Sequence, residues 1–273
     1  MELWVTEYQT PSLGFSCKTT ETLRTEQTPF QHLSVVCTEQ FGRMLFLDGM
    51  VMTTEKDEFV YHEMITQVAL NAHPSPRNVL IIGGGDGGAL REVLRHPLVE
   101  KGTLVEIDDR VIRASRDFFP ELAAGFEEPG AEIIVDDGIK YIQDRKDQFD
   151  VIIIDSTEPV GPAVQLFSKE FYQDCFEALK EDGMLVAQSE SPFFNEDVIK
   201  MAHGGIQSVF PMTKLYLANI PTYPSGVWSF AVGSKKYDPE KIVNNSVREL
   251  KYYNHQVHQA AFMLPNFVKK IVE

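Results

Sequence analysis

Cysteine is scarce in this chain, and basic residues are outnumbered. The 273 residues include three cysteines, Cys17, Cys37 and Cys175, an odd number with no C-x-x-C pair. That pattern argues against a disulfide framework or a zinc site, and each thiol reads as buried and inert. Histidine does not fill the gap. The nearest approach to a metal motif, His62-Glu63 on a helix, has no second histidine one turn on, so no metal is expected. Lys and Arg total 25 against 40 Asp and Glu, a formal net charge of −15. Such a balance argues against a nucleic-acid partner and favours attraction of cations. Long apolar runs are missing as well: none approaches the roughly 18 residues of a membrane span. The opening MELWVTEYQT lacks the basic and apolar regions of a secretory leader. The expectation is a cytoplasmic protein with no membrane partner.

What is present, 43% hydrophobic and 24% charged residues, is the composition of a globular chain. Its length suits one large domain, or a small one plus a medium one. Over residues 1–58, HLSVV (32–36), RMLFL (43–47) and MVMTT read as short strands. Phe41-Gly42 and Asp48-Gly49 are the turn candidates between them. This predicts a small N-terminal antiparallel β domain, too small to hold itself without packing on something.

From residue 59 to 273 the pattern changes. EFVYHEMITQVAL has helical apolar spacing at Phe59, Ile65, Val68 and Ala69, and prolines 74 and 76 stop it. Apolar strands then alternate with amphipathic helices: NVLIIG with GGALREVLRH, GTLVEID with RVIRASRDFF, AEIIVDD with IKYIQDR. FDVIIIDS precedes SKEFYQDCFEALK, and MLVAQSES precedes NEDVIKMAHGGIQSVF. Only PTYPSG separates the last two strands, TKLYLANIP and VWSFAVGS, so they should form an antiparallel edge hairpin. The predicted fold class is α/β: a Rossmann-like, methyltransferase-type doubly wound sheet of about seven strands.

In such a sheet ligands lie at the carboxyl ends of the strands. The first strand runs into GGGDGG, where Gly83, Gly85 and Gly88 meet the G-x-G-x-x-G spacing of a dinucleotide loop. Asp86 stands inside that loop, where a pyrophosphate would be repelled: two like charges about 4 Å apart cost roughly 4 kcal/mol at an effective dielectric near 20. The following strands end in Glu106-Ile107-Asp108, Asp136-Asp137-Gly138, Asp155-Ser156-Thr157-Glu158 and Gln188-Ser189-Glu190. Any one of these acids alone reads as a turn former or helix cap, and Asp108 and Asp136 are left so. The topology aims Asp86, Glu106, Asp137, Asp155 and Glu158 at one crevice, which calls for a cationic ligand. Glu106, 23 positions after Gly83, suits ribose hydroxyls, and Asp137-Gly138 suits an adenine amino group. A nucleoside without phosphates that carries a sulfonium meets these requirements.

With these residues in view, the chain resembles the spermidine synthase (polyamine aminopropyltransferase) family. The likeness runs nearly end to end, through FQHLSVV, LFLDGMVMTTEKDEFVYHEM, IIGGGDGGALREVLRH, LVEID, DDGIKYI, DVIIIDSTEPVGPA, LVAQSES, IPTYPSGVWSF and HQAAFMLPNFV. It implies transfer of an aminopropyl group from decarboxylated S-adenosylmethionine to putrescine, giving spermidine and 5′-methylthioadenosine. The donor is then a co-substrate, and no cofactor is expected. The resemblance implies that Gln31, Glu106, Asp137, Gly138 and Pro162 hold the donor, beside Gly83 and Gly85 of the loop. It places Asp86 at the donor's propylamine end, and Tyr61, His62, Asp155, Glu158, Gln188 and Tyr223 along the amine channel. Asp155 would be the proton acceptor. It also suggests a homodimer or homotetramer, with the N-terminal strands as a contact.

Two departures bear on the acceptor. His62 stands where some relatives carry glutamine, and Glu158 where many carry aspartate. Cadaverine, agmatine and spermidine therefore stay open as acceptors beside putrescine. The rival readings are an S-adenosylmethionine-dependent methyltransferase, a nicotinamide oxidoreductase and a binding protein without catalysis. The stretch from Thr157 to Val164, with Pro159, Gly161 and Pro162, reads as a lid or a static turn.

Overall fold

The computed structural model describes residues 2–157, 161–244 and 249–273, with only the backbone described at 161–163. Residues 158–160 of the expected lid, and the side chains of 161–163, therefore lie outside the described residues. The first five strands are β1 (Leu3–Thr10), β2 (Leu13–Gln27), β3 (His32–Thr38), β4 (Gly42–Leu47) and β5 (Met50–Thr54). They form one sheet in the order β1-β2-β3-β4-β5, antiparallel throughout. The Asp48-Gly49 turn behaves as its chemistry predicts. Both residues have positive φ, 50° and 84°, as a two-residue type I′ hairpin loop requires. The strands are not all short, however. β2 runs for 15 residues with two register shifts against β3, and its polar stretch KTTETLRTEQ hides this from an apolar-run reading.

The small sheet finds its packing partner within the chain. Leu33, Val35, Leu45 and Leu47 bury against Val111, Ala114, Phe119 and Leu122, which lie on and beside α3 (Asp109–Phe118) and α4 (Pro120–Ala123). Burial of side chains of this size stabilises by about 1.5–3 kcal/mol each. It fixes the sheet over the carboxyl ends of the larger one.

That larger sheet contains β6 (Asn78–Gly83), β7 (Lys101–Glu106), β8 (Ala131–Val135), β9 (Phe149–Asp155), β10 (Leu179–Gln188), β11 (Met212–Ala218) and β12 (Trp228–Ser234). Its order is β11-β12-β10-β9-β6-β7-β8. β6 to β10 pair in parallel, and β12 runs antiparallel to both β10 and β11. The seven-stranded sheet with its edge hairpin is thus as expected. The central strands Val79–Ile82 and Val151–Ile154 are at most 2% exposed, because helices cover both faces. The remaining helices are α1 (Glu58–Ala72), α2 (Gly88–Leu94), α5 (Gly138–Ile142), α6 (Lys169–Ala178), α7 (Glu196–Gln207), α8 (His255–Ala261) and α9 (Asn266–Val272). The helical reading of SKEFYQDCFEALK overran its end, since Leu179 and Lys180 already belong to β10.

Candidate active site

The carboxyl ends of β6, β7, β8 and β9 open on a cavity of about 410 Å³, within the usual range for small-molecule sites. Gln31, Tyr61, Gly83, Gly85, Asp86, Glu106, Asp137, Gly138, Asp155 and Tyr223 all line it. These residues come from seven separate stretches of chain, and only the fold assembles them. Glu158 and the Pro162 side chain lie outside the described residues, so their expected roles find no geometry here.

Glu106 ends β7 with its carboxylate accepting from the Gly85 N–H at 3.2 Å and the Asp108 N–H at 2.8 Å. Burial pushes its proton affinity up to about 7, with the charges of Asp108 and Asp155 adding and the two N–H bonds opposing. The loop's glycine at 85 has a local cause: a Cβ there would stand 2.8 Å from Glu106 Cγ and Oε2. Asp137 is both things the sequence allowed. It caps α5, accepting from the Ile139 N–H at 3.0 Å, and it lines the cavity.

Asp155 lies at the end of β9, where Tyr61 Oη donates to its Oδ1 at 2.6 Å. Burial and the charge of Asp86 raise Asp155 to about 6, while His62 and the Tyr61 bond hold it lower than it would otherwise be. Tyr61 in turn packs against Tyr223 with ring centroids 5.5 Å apart and planes tilted by 52°, and the Tyr223 hydroxyl donates to Met52 O at 2.6 Å. Burial, with the nearby acids, pushes both phenols well above their ordinary range, so both remain neutral donors.

Two expected amine-channel residues lie off the main cavity. His62 does not line the cavity. Its ring is buried behind Asp86, with Nδ1 2.6 Å from Glu58 Oε2 and Nε2 3.2 Å from Asp86 Oδ2. Gln188 is also occupied by backbone: its amide donates to Ser156 O at 3.1 Å and accepts from the Glu190 N–H at 3.2 Å. It lines a smaller neighbouring cavity of about 40 Å³. The two cavities meet at Met50, Met52, Tyr61, Ser156, Thr157 and Tyr223.

That smaller cavity brings in residues the sequence reading missed. Glu7 reaches it from β1, and Glu190, at φ 72°, from the turn after β10. Both carboxylates are buried. Ser156 Oγ and Trp228 Nε1, also on its wall, are buried without a hydrogen-bond partner among the described residues. Glu190 was visible as a strand-end acid, whereas nothing local marks Glu7. Asp108, read as a cap, does cap α3 through the Arg110 N–H at 3.1 Å. It also accepts from Thr28 Oγ1 at 2.7 Å and Gln31 Nε2 at 3.0 Å. Asp108 thereby ties the β2–β3 connection over the cavity.

Among the described residues, one cluster elsewhere has metal-ligand reach. His73, Asp150 and Asp182 bring one ligand atom each within 4.8 Å of one another. The Ser75 N–H donates to His73 Nδ1 at 3.1 Å, which leaves the proton of a neutral ring on Nε2. Lys180 Nζ already sits 2.9 Å from Asp150 Oδ1. The cluster reads as structural.

Comparison with known proteins follows these features closely. The family model described as "Spermine/spermidine synthase domain" matches residues 58–245, and "Spermidine synthase tetramerisation domain" matches residues 3–55. A polyamine aminopropyltransferase of Caldicellulosiruptor saccharolyticus is 54% identical over 100% of this chain and 99% of its own. One from Bacillus subtilis is 54% identical with the same coverage. A crystal structure of a spermidine synthase in complex with the transition state analogue AdoDATO superposes with a TM-score of 0.96 at 47% identity. It covers 99% of this chain and 94% of that one. The spermidine synthase of Thermotoga maritima gives a TM-score of 0.93 at 46% identity, with the same coverage.

Proposed function

The chain belongs to the spermine/spermidine synthase family, and from that premise we propose that it moves the aminopropyl group of decarboxylated S-adenosylmethionine onto putrescine. It is an aminopropyltransferase, a transferase of alkyl groups other than methyl, acting in polyamine biosynthesis. The observation that carries the donor assignment is Asp86 in the glycine loop beside Glu106 and Asp155, all on one wall. A carboxylate there suits an aminopropyl sulfonium and opposes a pyrophosphate or an amino-acid carboxylate.

In the proposed arrangement Glu106 receives the ribose hydroxyls, Asp137 and Gly138 the adenine, and Gln31 closes the donor side. Asp86 faces the propylamine end. The amine approaches past Tyr61 and Tyr223 from the smaller cavity, where Glu7 and Glu190 present carboxyl oxygens toward its distal ammonium. Ser156 Oγ and Trp228 Nε1 suit the same end. The cavity's small volume favours a short diamine over a long polyamine.

The reaction is a displacement at the methylene next to the sulfonium. The C–S bond breaks as the amine nitrogen forms the new C–N bond, and methylthioadenosine leaves with the electron pair. An alkyl amine with a pKa near 10.4 is free base in only about one part in 2,500 at pH 7, a cost of roughly 4–5 kcal/mol. Asp155 accepts the proton. Its raised proton affinity makes it a better base than a solvated aspartate, and the Tyr61 bond fixes its orientation. In-line positioning supplies the rest of the rate.

The matching of residues 3–55 to a tetramerisation domain supports a homo-oligomer, a tetramer in our reading. Exposed Leu3, Trp4, Tyr8 and Leu13 suit such a contact. No helix among the described residues is long and apolar enough to cross a membrane; a cytoplasmic location is part of the proposal. Residues 1–58 and 59–273 are proposed as the N-terminal and catalytic domains.

Incubation with decarboxylated donor and a panel of putrescine, cadaverine, agmatine and spermidine, read by mass, tests the reading. Spermidine and methylthioadenosine as the main products support it. Preference for another amine overturns the acceptor, and methylated products overturn the reaction.

A further inference from the structure

Behind the cavity wall, four charged side chains alternate in sign. Arg91 on α2 clamps Glu58 at the start of α1, with its two terminal nitrogens 3.2 and 2.9 Å from Oε1 and Oε2. Glu58 Oε2 lies 2.6 Å from His62 Nδ1, one helical turn on. His62 Nε2 lies 3.2 Å from Asp86 Oδ2, and Asp86 faces the substrate cavity.

An ionised carboxylate only accepts hydrogen bonds. Carboxylates on both ring nitrogens therefore require both to carry hydrogen, and the ring is then a cation. The His62 side chain is 3% exposed, so water does not compete for either position. Gly88 seats it, since a Cβ there would overlap the ring atoms. Arg91 helps keep Glu58 in its charged form: burial raises its proton affinity, but His62 and Arg91 together hold it down to about 2.

We propose that Glu58 is a positioning residue for aminopropyl transfer. Held by Arg91, it keeps the buried His62 ring as an imidazolium whose charge lets Asp86 and Asp155 stand together as carboxylates before substrate arrives. Two carboxylates in one dry wall oppose each other's ionisation. Asp155 must be unprotonated to accept the amine's proton, and the fixed cation meets that need without entering the cavity. The charged groups facing His62 are Glu58 from α1, Asp86 from the glycine loop and Asp155 from β9, with Arg91 of α2 acting through Glu58. The inference rests on aminopropyl transfer for its kinetic consequence, but the charge on His62 is measurable without any substrate.

The first experiment labels the histidines of the wild-type protein with ¹³C and ¹⁵N and follows ring shifts from pH 6 to 9, assigning His62 by its absence in His62→Gln. A doubly protonated ring through pH 8 is expected; a neutral ring at pH 7.5 overturns the proposal. In Glu58→Gln the ring should lose its proton inside that range. The acid limb of kcat, with both substrates saturating, should move up by about one pH unit, a tenfold loss of rate on that limb. Glu58→Asp, which restores the charge, should recover most of the shift. An unmoved limb in Glu58→Gln, or no recovery in Glu58→Asp, overturns the role. If Glu58→Gln does not fold, the wild-type spectrum decides. A wild type that transfers no aminopropyl group would sink the functional reading and leave the His62 measurement to be judged separately.

Discussion

Tyr61 Oη donates to Asp155 Oδ1 at 2.6 Å across 94 positions of sequence. The bond joins the first turn of α1 to the end of β9. It stabilises the ionised carboxylate that the proton transfer needs, against the burial and the Asp86 charge that oppose it.

Tyr61→Phe should therefore raise the proton affinity of Asp155 above its value of about 6. A hydrogen bond to a charged group contributes about 1.5–3 kcal/mol, so the acid limb of kcat should move up by about one to two pH units. Activity at pH 6 falls sharply and recovers toward pH 8. A pH profile with an unmoved limb would show that the phenol does not tune the base.

Asp86→Asn should relax discrimination against the intact donor. Its carboxylate opposes the α-carboxylate of S-adenosylmethionine with roughly 4 kcal/mol at about 4 Å, screened in part by His62 behind it. The ratio of dissociation constants for the intact and decarboxylated donors, measured by calorimetry, should fall by about ten- to a hundredfold. An unchanged ratio places the selectivity elsewhere in the pocket.

Asp108→Asn leaves the strand end in place but weakens acceptance from both Thr28 and Gln31. Two bonds to a buried charge at about 1.5 kcal/mol each give an expected rise in donor KM of about ten- to a hundredfold, with kcat changed less than threefold. Equal losses in kcat and kcat/KM would assign Asp108 to the chemistry instead.

Glu63→Ala tests the anchor of the C-terminal segment. The buried Glu63 carboxylate accepts from the N–H groups of Lys251, Tyr252 and Tyr253 at 2.8, 2.8 and 2.7 Å. Losing it strands three donors, and about 3 kcal/mol or more of stability should go with them. Denaturant titration would show this as a lower midpoint with an unchanged slope. A change below 1 kcal/mol would mean that water replaces the carboxylate freely.

Much of this was legible along the chain. Strands β6 to β9 announced themselves by short apolar stretches, VLII of β6 and VIII of β9 being the longest, because a central strand covered on both faces has few polar positions to break the run. The acids at their ends followed from the rule that such sheets bind ligands there. β2 was less legible, since its exposed faces carry threonine and charge. His62 misled for a related reason: the spacing placed it beside Tyr61, yet adjacent helical residues point about 100° apart. Tyr61 faces the cavity while His62 turns toward Glu58. The i,i+4 relation of Glu58 and His62 was a usable signal for that pair.

By itself the sequence determined the alternating fold, the glycine loop and the set of strand-end acids, since periodicity and turn chemistry act over a few neighbouring residues. Only the tertiary structure decided how those acids divide. Asp86 and Asp155 share a wall, His62 withdraws behind it, and Glu7 of β1 joins Glu190 in a second cavity. These relationships depend on how the N-terminal sheet packs over the larger one. Packing is set by the fit of apolar side chains such as Leu33 and Leu45 against Val111 and Phe119, and no local pattern encodes it.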